Sequence, residues 1–377
     1  MVAHRVRTVE ISGIRRMFEA APPHAINLGL GEPDFDPPRE VVDAICDAVR
    51  NGMNHYGPSA GLAALRDKVA ERYRDRDPTT ARENVLITGS GSEGLMATAM
   101  ALYNPGDEVL VPNPGFVLYA PHARLMGATP VPYSLLERNR FVPDVGELER
   151  LVTRRTKAIV VNSPSNPTGG VFPAKVVDAI VDLAERHRLT IVSDEVYEEI
   201  VYDRSFASFW GRSPRVVVVN SFSKTLAMTG WRIGYLVAPT ALAPDLNKMH
   251  YHIMACPPTP AQVGALAGLT SSGPAVRAMA REFRARRDLV VRLLGRIPGV
   301  EIVPPSGAFY AFPQFDWLPS TSEIALALVQ RGVITTPGEA FGSLGAHHLR
   351  ISFAASRANL EKGLEILAQY GEEVGRP

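Results

Sequence analysis

From Asn84 to about Pro239 the chain alternates between short apolar runs rich in β-branched residues and stretches with the spacing of amphipathic helices. The runs are NVLIT, EVLVP, KAIVVNSP, LTIVSDE, RVVVVNSFSK and GYLVAP, and helical patterns such as Ala174 to His187 separate several of them. Strands buried on both faces read as continuous apolar runs, so the alternation predicts crossover connections and a mainly parallel sheet covered by helices on both sides. In such sheets ligands gather beyond the C-terminal ends of the strands. The polar residues of this region lie there: Asn162 to Gly169 after one strand, Asp194 to Tyr197 after another, and Ser221 to Lys224 after a third.

After the proline-rich CPPTPAQ the rhythm changes. A charged helical pattern runs from about Gly273 to Ile297 and contains REFRARRD, whose simplest reading is a solvated helix face. VEIVPP, AFYAFPQF, a helix from Thr321 to Arg331, VITTPG and LRISFA follow, an order that suggests a smaller α+β domain. Residues 41–274 are therefore expected to form a large domain, and residues 1–40 with 275–377 a small one. There is no internal repeat and no low-complexity tract.

Bulk composition narrows the class. A chain of 377 residues with 46% hydrophobic residues, 21% charged residues and a formal net charge of +1 fits a soluble globular protein with no nucleic-acid footprint. MVAHRVRTVE lacks the apolar core of a secretion signal, and no run approaches the ~20 apolar residues of a membrane span. The two cysteines, Cys46 and Cys256, are too few for a disulfide framework or a metal cluster, so a reducing cytoplasm and no metal are expected.

The turn in NVLITGSGSEGLMATAM spells Gly89-x-Gly91-x-x-Gly94 between a strand and a helix. That is the dinucleotide fingerprint, but its ribose-binding acid is missing from the end of the next strand. Asp107 and Glu108 fall at that strand's start. The glycines still suit an anion held by turn amides and a helix N-terminus.

Only six of the 40 basic residues are lysine, and Lys224 alone stands apart from charged or helix-start surroundings. A lysine closing an apolar strand is poorly placed as a surface charge. Burial beside other cations lowers its pKa from about 10.4 and makes the amine a nucleophile toward aldehydes. Eight residues on, Arg232 can return as a fixed charge for a phosphate dianion.

LGLGEPDFDPP, YGPSAGLAALR, NSPSNPTGG, SDEVY, SFSKTLAMTGWRIG and LRISFA, in this order and spacing, resemble the class I and II aminotransferases. The resemblance is closest to the branch of prokaryotic aspartate and aromatic aminotransferases. It implies an α/β fold-type-I pyridoxal-phosphate transferase, with a mainly parallel sheet sandwiched by helices and a smaller α+β domain. It also implies pyridoxal 5′-phosphate as cofactor, amino-acid and 2-oxo-acid substrates, a ping-pong reaction and a homodimer with shared active sites.

The roles carried over are these. Lys224 forms the internal aldimine and, once displaced, moves the proton from Cα to C4′. Asp194 pairs with the pyridine nitrogen, keeping the ring an electron sink. Tyr197 and Asn166 donate to the phenolic oxygen, and Phe116 stacks on the ring. Ser90, Gly91 and Ser92 form the phosphate cup, joined by Ser221, Ser223 and Arg232. Arg350 grips the substrate carboxylate through a bidentate fork that lysine cannot copy. Gly31 belongs to the segment that closes over the substrate, and Tyr56 reaches the phosphate of the neighbouring subunit. Cis bonds at Asn113-Pro114 and Asn166-Pro167 are also implied.

A C–S β-lyase on the same scaffold keeps the same lysine, aspartate and arginine, and is the alternative activity. A transcription regulator carrying this domain would need a DNA-binding domain before LGLGEPDF, where only about 25 residues stand. For the amino donor, aspartate-using relatives place a lysine where this chain has Ser92. His250, His252, Lys248, Arg15 and Arg16 are the other cations to consider, and neutral or aromatic donors are expected over aspartate.

Overall fold

The apolar runs pair side by side in the computed structural model, which describes residues 2–9, 21–203, 205–317 and 319–374. The strands are β1 (Val85–Thr88), β2 (Glu108–Asn113), β3 (Thr129–Ser134), β4 (Thr156–Asn162), β5 (Thr190–Asp194), β6 (Val216–Ser221) and β7 (Gly234–Val237). They form one sheet in the order β1-β7-β6-β5-β4-β2-β3. Only β7 runs antiparallel to its neighbours. Strand β3 escapes the sequence pattern because TPVPYS carries two prolines. It lies at the sheet edge, where a missing N–H leaves no ladder bond unmade on the open side.

Successive residues of each strand face opposite layers. Ile87, Leu110, Ile159, Ile191 and Val218 pack with α1 (Arg39–Arg50) and α3 (Ala174–His187), through side chains such as Val41, Ile45, Val177 and Ile180. Leu86, Val109, Val160, Val192 and Val217 pack on the other side with Leu95, Ala99 and Leu102 of α2 (Gly91–Leu102). The two-residue period and the apolar runs are thus one observation: both faces are covered.

A second core gathers Leu28 with residues from α4 (Gly273–Leu294), α5 (Thr321–Gln330) and α6 (Arg357–Val374). At its centre β8 (Tyr310–Ala311), β9 (Thr336–Pro337) and β10 (Leu349–Ser352) pair antiparallel in the order β8-β10-β9. A capping box starts α5: Ser320 Oγ accepts from the Glu323 amide at 3.3 Å while the Glu323 carboxylate accepts from the Ser320 amide at 2.8 Å.

REFRARRD is not the solvated face its charges suggest. Arg286 and Arg287 are 6% and 7% exposed. Arg286 donates to Asp34 Oδ1 at 2.7 Å and to the Ala354 carbonyl at 2.9 Å, and Arg287 donates to Asp203 Oδ2 and the Pro305 carbonyl. Their guanidinium groups lie over aromatic rings, Phe35 and Tyr202 respectively, each 5.0 Å from the ring centroid. Long cationic side chains can bury a stem when the head reaches acceptors, and charge spacing alone does not distinguish that case from a solvated one.

Candidate active site

Strands β1, β4, β5 and β6 end at one edge of the sheet and border a cavity of about 220 Å³. At the end of β1 the chain turns into α2, whose first amides, Gly91 and Ser92, have no acceptor within the helix. Ser90 Oγ caps the helix by accepting from the Glu93 amide at 3.1 Å. Gly234 of β7 passes beneath this turn. A Cβ there would stand 2.7 Å from the Gly91 nitrogen, so the close approach requires glycine.

Across the cavity Ser221 closes β6, and its hydroxyl accepts from the Ser223 amide at 3.1 Å. Lys224 follows on the single helical turn Phe222–Thr225. The chain then bends at Arg232, a non-glycine residue at φ +50°, and returns its guanidinium to the same cavity. The turn amides, two serine hydroxyls and Arg232 together can hold a dianion.

Lys224 Nζ donates to the Gly31 carbonyl at 2.7 Å. Burial lowers its pKa to about 8, with Arg232 and Arg350 pushing the same way and Glu32 and Asp194 opposing. Facing it, Asp194 ends β5 at 3% exposure. Burial raises its pKa to about 6, against hydrogen bonds from the Tyr119 hydroxyl at 2.7 Å and the Val196 amide at 3.3 Å and the charge of Lys224. A buried carboxylate held above its ordinary value is a receptor for a cationic N–H.

Tyr197 sits in the turn after Asp194, its hydroxyl 2.8 Å from that of Tyr310. Asn166 is fixed at both ends. Its backbone N–H donates to Asn162 Oδ1 at 2.7 Å, and its side-chain Oδ1 accepts from Arg350 Nη1 at 3.0 Å. Phe116 lines the cavity and meets Tyr119 edge-on at 5.7 Å. The bonds Asn113-Pro114 and Asn166-Pro167 are cis, and so is Ser163-Pro164, which the sequence reading did not anticipate.

Arg350 projects from β10 and is 2% exposed. Its guanidinium lies 4.6 Å from the Tyr310 ring and 4.8 Å from Phe341, and its Nη2 donates to the Gly29 carbonyl. Its Nε is buried without a hydrogen-bond partner. An orphaned donor on a buried cation is costly, and a carboxylate is the group that satisfies it. Gly31 borders the same space. A Cβ there would fall 1.9 Å from the Tyr310 hydroxyl, so no other residue fits without displacing that ring.

Thirteen of the residues singled out from the sequence therefore line one cavity. Tyr56 does not; it is 92% exposed on its own chain. Of the further cations, His250 is buried, with Nδ1 3.0 Å from Glu93 and Nε2 3.1 Å from the Ser59 carbonyl. His252 is exposed beside Tyr251, and Lys248 pairs with Asp245 at 2.8 Å. Arg15 and Arg16 lie outside the described residues. Sequence reasoning missed Leu30, Leu95 and Tyr310 on the cavity wall and Tyr119 behind Asp194, and gave no role to Asn162 and Val196 within the strand-end stretches it picked out. Asn162 and Tyr119 carried a signal: one is a polar strand end, the other lies three residues after Phe116.

Residues 23–367 match the family described as "Aminotransferase class I and II". A probable aspartate aminotransferase of Methanocaldococcus jannaschii is 38% identical over 99% of this chain and 100% of its own length. An aromatic-amino-acid aminotransferase of Thermococcus litoralis is 39% identical over 99% of this chain and 98% of its own. Among solved structures, an alanine aminotransferase from Pyrococcus furiosus superposes with a TM-score of 0.94 at 32% identity, covering 99% of this chain and 100% of that one.

Proposed function

The chain belongs to the class I and II aminotransferase family, and on that basis we propose that this enzyme draws nitrogen from neutral L-amino acids, aromatic or medium-sized and apolar, in preference to aspartate. It is a pyridoxal-phosphate-dependent aminotransferase that moves an amino group from an amino acid to a 2-oxo acid.

The residues on the cavity wall fit the cofactor. The Arg350 Nε without a partner, the buried Asp194 carboxylate and the free turn amides match a substrate carboxylate, a pyridinium N–H and a phosphate, respectively. When bound, pyridoxal phosphate supplies an electron sink that acidifies the substrate Cα–H. In this reading Lys224 Nζ would hold it covalently and, once displaced, would move the proton from the substrate Cα to C4′ of the cofactor. The lowered pKa of Lys224 leaves a useful fraction of neutral amine for that step. Asp194 would accept from the pyridine nitrogen, and Tyr197 would donate to the phenolic oxygen. Asn166 would do the same through Nδ2, the end left free when Oδ1 turns to Arg350. Ser90, Gly91, Ser92, Ser221, Ser223 and Arg232 would hold the phosphate, and Phe116 would cover the ring. Arg350 and Asn166, with Gly31 beside them, orient the substrate carboxylate.

A homodimer whose Tyr56 completes the neighbouring site, and a small domain built on the second core that closes the site against water, belong to the same proposal. A reducing cytoplasm suits the two free cysteines. Among the described residues no helix is long and apolar enough to cross a membrane.

One observation carries the donor preference. The described cations on the cavity wall are Lys224, Arg232 and Arg350, and each already has a partner in the reading above. A distal carboxylate would then be buried without a cation, a cost of several kcal/mol. Ser92 supplies no charge, and His250 is engaged by Glu93 and Ser59. The named relatives include aspartate, aromatic and alanine aminotransferases, which leaves the choice to these local charges. A panel of L-amino acids with 2-oxoglutarate and pyruvate tests this. Phenylalanine, methionine or alanine is expected to exceed aspartate in kcat/KM. An aspartate value tenfold above all three, about 1.4 kcal/mol of transition-state binding, overturns the proposal.

A further inference from the structure

We infer that Tyr310 is a positioning residue whose hydroxyl donates to Tyr197 and so keeps the Tyr197 proton on the cofactor's phenolic oxygen. The inference rests on the proposed place of Tyr197 at that oxygen and adds a donor that polarises the Tyr197 hydroxyl and strengthens its hydrogen bond.

A phenol carries one proton to donate. Tyr197 faces the Tyr310 hydroxyl at 2.8 Å. If Tyr197 gave its proton to Tyr310, it would have none for the cofactor. The pair therefore works only in one direction, with Tyr310 donating and Tyr197 passing its own proton on. Burial keeps water from serving as a substitute: Tyr310 is 1% exposed and Tyr197 4%.

Burial raises the pKa of both phenols, and the charge of Arg350 opposes that rise in both. The Arg350 guanidinium lies 4.6 Å from the Tyr310 ring.

The fold holds Tyr310 in this position from several sides. Its ring meets Tyr197 edge-on, with centroids 5.7 Å apart and planes at 84°. Its strand, β8, pairs with β10, the strand that carries Arg350. Glycine at position 31 leaves room for the hydroxyl, since a Cβ there would stand 1.9 Å from it. Tyr310 thus links the strand bearing the carboxylate arginine to the tyrosine at the cofactor.

The consequence is spectroscopic. Donors to the phenolic oxygen favour the form in which that oxygen carries full negative charge, without an iminium proton to share it. Weakening the donor favours the protonated form and raises the pH at which the visible band of the loaded enzyme changes. The test is a pH titration of that band in wild type, Tyr310→Phe, Tyr197→Phe and the double variant, all loaded with pyridoxal phosphate. Phenylalanine keeps the ring over Arg350, so packing is retained.

The expected result is a midpoint for Tyr310→Phe about 0.5–1 pH unit above wild type, a larger rise for Tyr197→Phe, and a double variant equal to Tyr197→Phe alone. That non-additivity is the mark of a residue acting through another. A Tyr310→Phe midpoint equal to wild type, while Tyr197→Phe moves, overturns the inference and leaves the reading of Tyr197 intact. So does a Tyr310→Phe shift that persists undiminished when Tyr197 is absent. If Tyr197→Phe itself fails to move the midpoint, Tyr197 is not at the phenolic oxygen, and both readings fall together.

Discussion

Arg350→Lys keeps a positive charge in the substrate pocket and removes the planar fork. In the wild-type chain the guanidinium is already committed through Nη1 to Asn166 at 3.0 Å and through Nη2 to Gly29, which leaves Nε as its unpaired buried donor. Closure on a carboxylate would engage Nε and the outer edge of the guanidinium in charge-assisted bonds of about 1.5–3 kcal/mol each. Lysine recovers the point charge and one bond, so the net loss is about 1.5–3 kcal/mol, or roughly a 10- to 10²-fold fall in kcat/KM. The substitution also removes contacts with the Tyr310 and Phe341 rings, which affects stability whether or not substrate is present. Comparing substrates separates the two effects. The first half-reaction is followed by cofactor absorbance with phenylalanine and with phenylethylamine, which lacks the carboxylate. The loss is expected with phenylalanine, while the slow reaction of the amine changes little. Equal losses for both substrates would mean that Arg350 supports the fold of the pocket and does not bind the carboxylate.

Apoenzyme should take up pyridoxal phosphate faster as pH rises, because the neutral amine is the nucleophile, with a midpoint at about 8 set by the burial of Lys224. A rate still climbing at the ordinary lysine pKa of about 10.4 would refute that environment. Mixing Tyr56→Ala subunits with Lys224→Ala subunits should restore activity, because each heterodimer would rebuild one intact site from the two chains. No recovery after verified subunit exchange would place the action of Tyr56 within its own chain or remove it from the site.

The large sheet is legible because a strand buried on both faces must be apolar throughout, and the helix Ala174–His187 is legible to the residue from its period. Strand β3 is not, since its prolines are tolerated only through an edge position that no local pattern reveals. The cavity wall follows the same division. Asp194, Asn166 and Lys224 are polar residues just beyond apolar strands and stand out in the sequence. Tyr310 is one aromatic among several in AFYAFPQF, and its importance comes from neighbours more than a hundred positions away, such as Tyr197. Arg286 has the same character: its long-range partners, Asp34 and the Ala354 carbonyl among them, distinguish it from a surface arginine. A lysine is conspicuous in an arginine-rich chain, whereas a buried arginine is not.

Reduction of the loaded enzyme with borohydride, followed by peptide mapping, bears most directly on the assignment of the site. A single cofactor label on Lys224, lost in Lys224→Ala while phosphate-dependent binding of the cofactor persists, is the result expected from its place at the end of β6 opposite Asp194. A label on Lys68, Lys157, Lys175, Lys248 or Lys362 would contradict it.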